Sequence, residues 1–331
     1  MKKIILVAMA FAALAACTKE TTVDVAREEI VFGNAFVDNS TKADAATDPS
    51  YSTIGKGVAL TQFNVYGAVN GVNIFNGNTV TKGEAAYGSA WTLEGTKQYW
   101  IAGADYKFVG LVDGNKAGVT ETEYDAAGLP ETITYTADGA TDLLCDVVTV
   151  EDYDPENPYG IVAFNYTHLL SKINFAVKNT TDVSATNYRF VLTSAKLTNL
   201  YESAVYGVDA DAWTTTDSEI TEYVLENLTI NSNATQYHSK EVLLIPGSAV
   251  GVYVKANIEA TDNGTDWTVV STVEKTFANA LGMVDSTPKT LERATAYNFI
   301  VELAVGTEIQ FTAVAMPDWT DGDGDRNTAL Q

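Results

Sequence analysis

The sequence predicts an all-β protein made of two β-sandwiches, and three observations predict it. Short runs alternate apolar and polar side chains with a period of two, and Val, Ile, Thr, Tyr and Phe gather in them. Gly, Asn, Asp and Pro separate the runs. No window carries a long apolar stripe of helical period with caps at both ends.

In chain order the predicted strands are EIVFGNAFV (29–37), QFNVYGAV (62–69), YKFVGLV (106–112), ETITYT (131–136) and LLCDVVTV (143–150). After a break come IVAFNYTHLL (161–170), KINFAVK (172–178), YRFVLTSAKL (188–197) and TEYVLENLTI (221–230). The last group is EVLLIP (241–246), VGVYVKANIEA (250–260), WTVVSTVEKTFA (267–278), AYNFIVELA (296–304) and EIQFTAVAM (308–316). The helical candidates are a short helix over 279–284 and a turn near Leu169. The break is EDYDPENPYG (151–160), with Pro155, Pro158 and four acids. Prolines do not donate to a sheet and acids solvate the segment, so a domain boundary is expected at 155/156. Each part is long enough for one sandwich.

Of 331 residues, 20 are Lys or Arg and 43 are Asp or Glu, a formal charge of −23. A chain that neutralises phosphates needs a basic face, so nucleic acid is excluded as a partner, and an anionic membrane surface is disfavoured. The apolar fraction of 46% fits packed cores rather than disorder.

The N-terminus carries Lys2 and Lys3, then an apolar run from Ile4 to Ala16. Spanning a bilayer takes about 20 apolar residues, so this run has the length of a signal-peptide core instead. It ends in Leu14-Ala15-Ala16-Cys17, which resembles the lipobox of bacterial lipoproteins. The resemblance implies cleavage between Ala16 and Cys17 and acylation of Cys17. Thr18 and Lys19, not an aspartate, directly follow the Cys, and the outer membrane is the expected destination by the same resemblance. The other cysteine, Cys145, lies in an apolar run and reads as a small core residue.

Chemistry-bearing motifs are scarce. His168 and His238 are the two histidines, and no GxSxG, HExxH, Walker or GxGxxG pattern occurs. His168 sits in a strand-like run and reads as a packing or hydrogen-bonding residue. Asp321, Asp323 and Asp325 alternate as in the start of a calcium loop, but the chain ends before a twelfth-position Glu. Trp91, Trp100, Trp213, Trp267 and Trp319 could stack on sugars, yet they are scattered along the chain. No enzyme, no metal site and no cofactor is expected.

FNYTHLLSKINFAVK (164–178), VLLIPG (242–247), YNFIVEL (297–303) and EIQFTAVAMPDWTDGDGD (308–325) together resemble segments of the fimbrillin-like lipoproteins of Bacteroidales. The resemblance implies two transthyretin-like β-sandwiches and a type V pilus subunit. Such a subunit reaches the cell surface as a lipoprotein, loses its first strand to a trypsin-like protease, and polymerises with its own or other subunits when a donor strand fills the vacated groove. Mapped onto this chain, that gives a signal peptide at 1–16, a lipidated pro-segment at 17–42, an N-terminal sandwich at 43–155 and a C-terminal one at 156–331.

The residues supply matching parts. Within 29–37, Ile30, Phe32, Ala35/Phe36 and Val37 alternate as in a strand to be buried, with Gly33-Asn34 suggesting a bulge; the following DNSTKADAATDPSYST (38–53) is polar and rich in turn formers, hence cleavable. The expected bond is Lys42–Ala43, where Lys replaces the Arg usual in the family. Arg27 is the alternative, though a cut there would leave the strand attached. The donor candidate is the segment from Glu308 to Trp319, with Ile309, Phe311, Ala313 and Ala315 on one face; the same segment is alternatively the last strand of its own sandwich. The competing reading of the whole chain is a monomeric surface lipoprotein that binds glycans or host ligands.

Overall fold

The computed structural model describes residues 28–33, 35–37, 60–83, 91–112, 118–181, 187–215, 220–225, 228–231, 235–237, 242–283 and 289–316. The described residues form strands and connections with no α-helix; a single 3-10 turn at Leu281–Met283 stands where a short helix was expected.

The strands are β1 (Val31–Phe32), β2 (Phe36–Val37), β3 (Gln62–Val69), β4 (Val72–Lys82), β5 (Trp91–Leu93), β6 (Tyr106–Val112), β7 (Val119–Tyr124) and β8 (Pro130–Thr136). They continue with β9 (Leu144–Val150), β10 (Ile161–Val162), β11 (Asn165–His168), β12 (Ser171–Asn179), β13 (Tyr188–Tyr201), β14 (Ser203–Gly207), β15 (Ala212–Thr214) and β16 (Ile220–Leu225). The last are β17 (Thr229–Asn231), β18 (Thr235–Tyr237), β19 (Val242–Leu244), β20 (Gly251–Ala260), β21 (Thr268–Phe277), β22 (Ala296–Leu303) and β23 (Gln310–Met316).

A seven-stranded sheet runs in the order β2-β11-β9-β6-β3-β4-β5, and a four-stranded sheet in the order β15-β14-β8-β7 packs against one of its faces. Side chains alternate along each strand to fill the space between them. Tyr66 and Ala68 of β3 and Val109 and Leu111 of β6 meet Ile133 and Tyr135 of β8 and Ala204 and Tyr206 of β14. The intervening residues, Phe63 and Val65 of β3 and Tyr106, Phe108 and Val112 of β6, point the other way into a second core. The seven-stranded sheet is therefore apolar on both faces, and something must cover the second one. β1, β10 and the segment around Trp100 do so.

A second sandwich follows. Its sheets are β18-β12-β22-β23, with β19 beside β12, and β16-β13-β20-β21, with β17 beside β13. Between them Ile173, Phe175, Val177, Phe299 and Val301 pack against Phe190, Leu192, Leu197, Val252, Val254 and Ala256.

Pairing crosses the boundary expected at 155/156. β10 and β11 lie beyond it but pair with β1, β2 and β9, and β14 pairs with β8. The Pro-rich acidic segment is thus a connection into β10 of the same layered unit, because a loop that excludes itself from a sheet does not by itself end a domain. The turn near Leu169 is a bend between β11 and β12. Six strands lie outside the expected set: β4, β5, β7, β14, β15 and β18. Of these β4 is the hairpin partner of β3: Asn70 and Gly71 take left-handed φ of 47° and 75° and close the turn, as a two-residue hairpin requires.

Candidate functional site, the seat of the first strand

The segment 28–33 is hydrogen-bonded along both edges. On one side the Ile30 amide donates to the Gln98 carbonyl (2.9 Å) and the Trp100 amide to the Glu28 carbonyl (2.9 Å), with Glu29 opposite Tyr99 in antiparallel register. On the other side Val31 and Phe32 pair in parallel with Ile161 and Val162, and the Gly33 amide donates to the Val162 carbonyl (3.1 Å). The chain then continues as β2, whose Phe36 and Val37 pair in parallel with Asn165 and Tyr166 of β11 at the margin of the seven-stranded sheet. The first segment is therefore a strip laid in a two-walled groove and then along a sheet edge.

Alternation decides which side chains fill the groove. Ile30 and Phe32 are 1% and 5% exposed, while Val31 between them is 41% exposed and faces solvent beside Ile161. Phe32 stands in a nest of rings: edge-on to Phe75 at 5.3 Å and to Phe108 at 5.6 Å, and stacked on Phe164 at 6.2 Å. Beneath the start of the strip Trp100 stacks on Tyr153 at 4.7 Å and meets Tyr106 edge-on at 4.6 Å. Two carboxylates tie the entry down. Glu28 accepts from the Tyr153 hydroxyl (2.5 Å), and Glu29 pairs with Lys97 (2.7 Å), whose ammonium is held above its ordinary pKa by that hydrogen bond and charge. Asp146 on β9 accepts from the Asn165 amide (2.6 Å) and so fixes the start of β11 next to β2. Burial raises the Asp146 carboxyl above its ordinary value, against the Asn165 and Val147 amides that donate to it.

An arrangement of this kind binds an extended peptide: backbone donors and acceptors on both walls give affinity, and alternating pockets give specificity. Among the described residues that line it there is no nucleophile–base pair.

The remaining sequence candidates sort as follows. Ala16, Cys17, Arg27, Lys42, Ala43, His238, Trp319 and Asp321, Asp323 and Asp325 lie outside the described residues. His168 is buried, its Nδ1 at 2.6 Å from the Asp142 carboxylate, which itself is buried. Burial raises the Cys145 thiol far above its usual range, which keeps it protonated and inert. Trp100 is buried, Trp91 and Trp213 are half-buried in separate cores, and Trp267 lies over the Arg189 guanidinium at 4.3 Å, so these four do not form one platform. In the donor candidate, Ile309 is buried, Phe311 and Ala313 are half-buried against the second-sandwich core, and Ala315 is exposed. Its strand, β23, pairs with β22 in antiparallel register and ends its sheet.

Sequence reasoning located the strip but not its far wall or much of its floor. Gln98–Trp100 pairs without being a regular strand, and Phe75 belongs to the Asn-rich β4. The Asn70-Gly71 dipeptide was the signal that would have found the latter.

A family model described as fimbrillin-like matches residues 46–319. Among solved structures, a fimbrial protein from Bacteroides vulgatus is 16% identical with a TM-score of 0.59, over 89% of this chain and 100% of that one. A candidate cell-adhesion protein from Bacteroides uniformis is 16% identical with a TM-score of 0.54, over 89% of this chain and 98% of that one. At such identity both speak to the fold alone. No curated protein matches the chain. Since the family match spans most of the sequence and both sandwiches, the chain belongs to the fimbrillin-like family.

Proposed function

We propose that this chain is a structural subunit of a cell-surface fimbrium, exported as a lipoprotein acylated at Cys17, held at the outer membrane, trimmed between Lys42 and Ala43 by a trypsin-like protease and polymerised by strand exchange in support of adhesion. The observation that carries the reading is the seat of residues 28–33: a strip bonded on both edges, with Ile30 and Phe32 buried, that lies ahead of the turn-rich sequence 38–53. A cut within that sequence detaches the strip from the rest of the chain. Its departure would leave two rows of unpaired backbone groups and an apolar trough, an edge that favours adding another chain's strand. Each large side chain fully buried in the trough contributes about 1.5–3 kcal/mol before ordering costs.

Charge contributes little to assembly. Residues 17–42 hold three basic and five acidic side chains, so their loss relieves repulsion between acidic subunits by only two charges. The vacated trough is the driving force. The donor is the C-terminal segment from Glu308 to Trp319 of a neighbouring subunit of the same or a related kind. At the end of its own sheet β23 is bonded on one edge; in the trough it gains partners on two.

The test is a denaturing gel of the native protein with and without boiling, with N-terminal sequencing of the monomer. A boiling-sensitive ladder whose monomer begins at Ala43 supports the reading, and Lys42→Ala abolishes it. Cys17→Ala moves the protein from the outer membrane to the periplasm. A monomer that keeps residues 28–37 on the native surface overturns the proposal in favour of a monomeric binding lipoprotein.

A further inference from the structure

We propose that the last strand is a register-matched replacement for the first: Glu308, Ile309 and Phe311 of a second copy take the places of Glu29, Ile30 and Phe32. This rests on the strand exchange argued above and adds to it the residue-by-residue register. The pattern Glu-Ile-x-Phe occurs at two places in the sequence, EIVF at 29–32 and EIQF at 308–311.

The two places are also physically alike. Glu29 pairs with Lys97 at 2.7 Å, and Glu308 pairs with Lys275 at 3.1 Å. Ile30 is 1% exposed and Ile309 is 5% exposed. Phe32 sits among Phe75, Phe108 and Phe164, and Phe311 sits between Phe277 at 5.1 Å and Phe299 at 5.3 Å. One segment thus carries the side chains for both seats.

The matched register also suits the other positions. Val31 faces solvent at 41% exposure, and Gln310, a polar residue, falls there. Direction is fixed as well: the donor runs antiparallel to Gln98–Trp100 and parallel to β10, as residues 28–33 do. A shift of one residue turns Ile309 and Phe311 outward. A shift of two places Phe311 or Thr307 where Ile30 lies. One position fits less well. A Cβ at Gly33 lies 3.2 Å from both Ile161 Cγ2 and Trp91 Cδ1, so Thr312 requires those side chains to give by a few tenths of an ångström. Thr312 is thus the position at which the donor has room to improve.

Glu29 and Tyr99 are a directly opposed antiparallel pair whose neighbours carry the hydrogen bonds, the arrangement in which side chains are closest. This gives a direct readout. The full chain carrying Cys17→Ser, Tyr99→Cys and a site-specific protease sequence within 38–53 is cleaved and incubated with synthetic peptides of residues 305–316 under diamide. Three peptides carry one cysteine each, at 306, 308 or 310. The expected result is a disulfide to the 308 peptide, with at least fivefold less product from the other two. Phe311→Ala in the 308 peptide weakens capture by roughly 30-fold, as truncating an interface anchor does, and Thr312→Gly strengthens it. Dominant cross-linking at 306 or 310, or none at any position, overturns the register. The ladder of the native protein, without the engineered protease sequence, is scored separately. Cross-linking at 308 without a native ladder removes the polymerisation reading and leaves the register in place; a ladder with cross-linking elsewhere does the reverse.

Discussion

Phe32 lies over Phe164 with ring planes within 4° of parallel and centroids 6.2 Å apart. The strip thereby rests on a residue of the link between β10 and β11, which ties the occupant of the groove to its β10 wall. Phe75 and Phe108 complete the contact from the seven-stranded sheet.

Replacing Phe32 by Ala removes this contact and leaves a cavity that the rigid sheet beneath does not collapse to fill, a change that costs about 3–5 kcal/mol. The loss falls on the local stability of the strip. Amide exchange of Ile30 and Gly33, which donate to Gln98 and Val162, is expected to accelerate by two orders of magnitude or more, on the order expected for such a loss. Amides of β20 in the second sandwich keep their rates. Equal acceleration in both places contradicts a strip that opens on its own.

Asp146 gives a pH signature. Its folded-state pKa is raised by burial above the roughly 3.9 of an unfolded carboxyl, so the folded state binds this proton more tightly. The contribution is present below the unfolded value and is lost as pH rises through the raised folded value. Relative to Asp146→Asn, the wild type therefore loses thermal stability as pH climbs from about 4 and levels off once the carboxyl is ionised in both states. Melting curves of both proteins between pH 4 and 8 check this, and a difference constant with pH refutes it.

What the sequence made legible follows from its physics. Strands with clear alternation, such as YKFVGLV and YNFIVEL, emerged as β6 and β22. The strip at 29–37 was legible for the same reason, and it divides into β1 and β2 around the Gly33-Asn34 dipeptide that reads as a bulge. β4, VNIFNGNTVTK, was hidden because three asparagines and a glycine make it read as loop, although Phe75 and Val80 face the core. β14 was hidden because five residues are too few for a periodic signal. The far wall at Gln98–Trp100 owes its role to tertiary contact with residues 28–30, about 70 positions away in the sequence, for which a local pattern carries no information.

Asp142 and His168 meet in the core, one just before β9 and the other at the end of β11. Asp142 Oδ1 also accepts from the Leu143 amide (2.9 Å). His168→Ala takes a hydrogen-bonding partner from a buried carboxylate, a loss of about 1–3 kcal/mol. Asp142→Ala costs a similar amount, and the double mutant is expected to be less damaged than the sum of the two. Urea midpoints of the four proteins give the coupling. Additive losses contradict a direct interaction.

Gly110 supplies the last prediction, because the groove floor depends on an absent side chain. It lies on β6 opposite Asp146, on the face that supports the strip. A Cβ placed there falls 2.4 Å from the Tyr166 hydroxyl oxygen and 3.0 Å from two ring atoms of Phe164. Those two rings stack at 5.5 Å, and Phe164 in turn carries Phe32. Tyr166 is fully buried, so neither ring has solvent to retreat into. Gly110→Ala therefore pushes on the whole column and costs about 1–3 kcal/mol as overpacking. Its effect reaches the groove: the first strip is expected to exchange its amides faster in the full chain. Tyr166→Phe in the same chain removes the atom in closest conflict and should restore part of the stability, since the Tyr166 hydroxyl is buried without a partner among the described residues. Chemical denaturation of the single and double mutants decides it. Gly110→Ala without loss, or no recovery with Tyr166→Phe, shows that the column does not transmit the push.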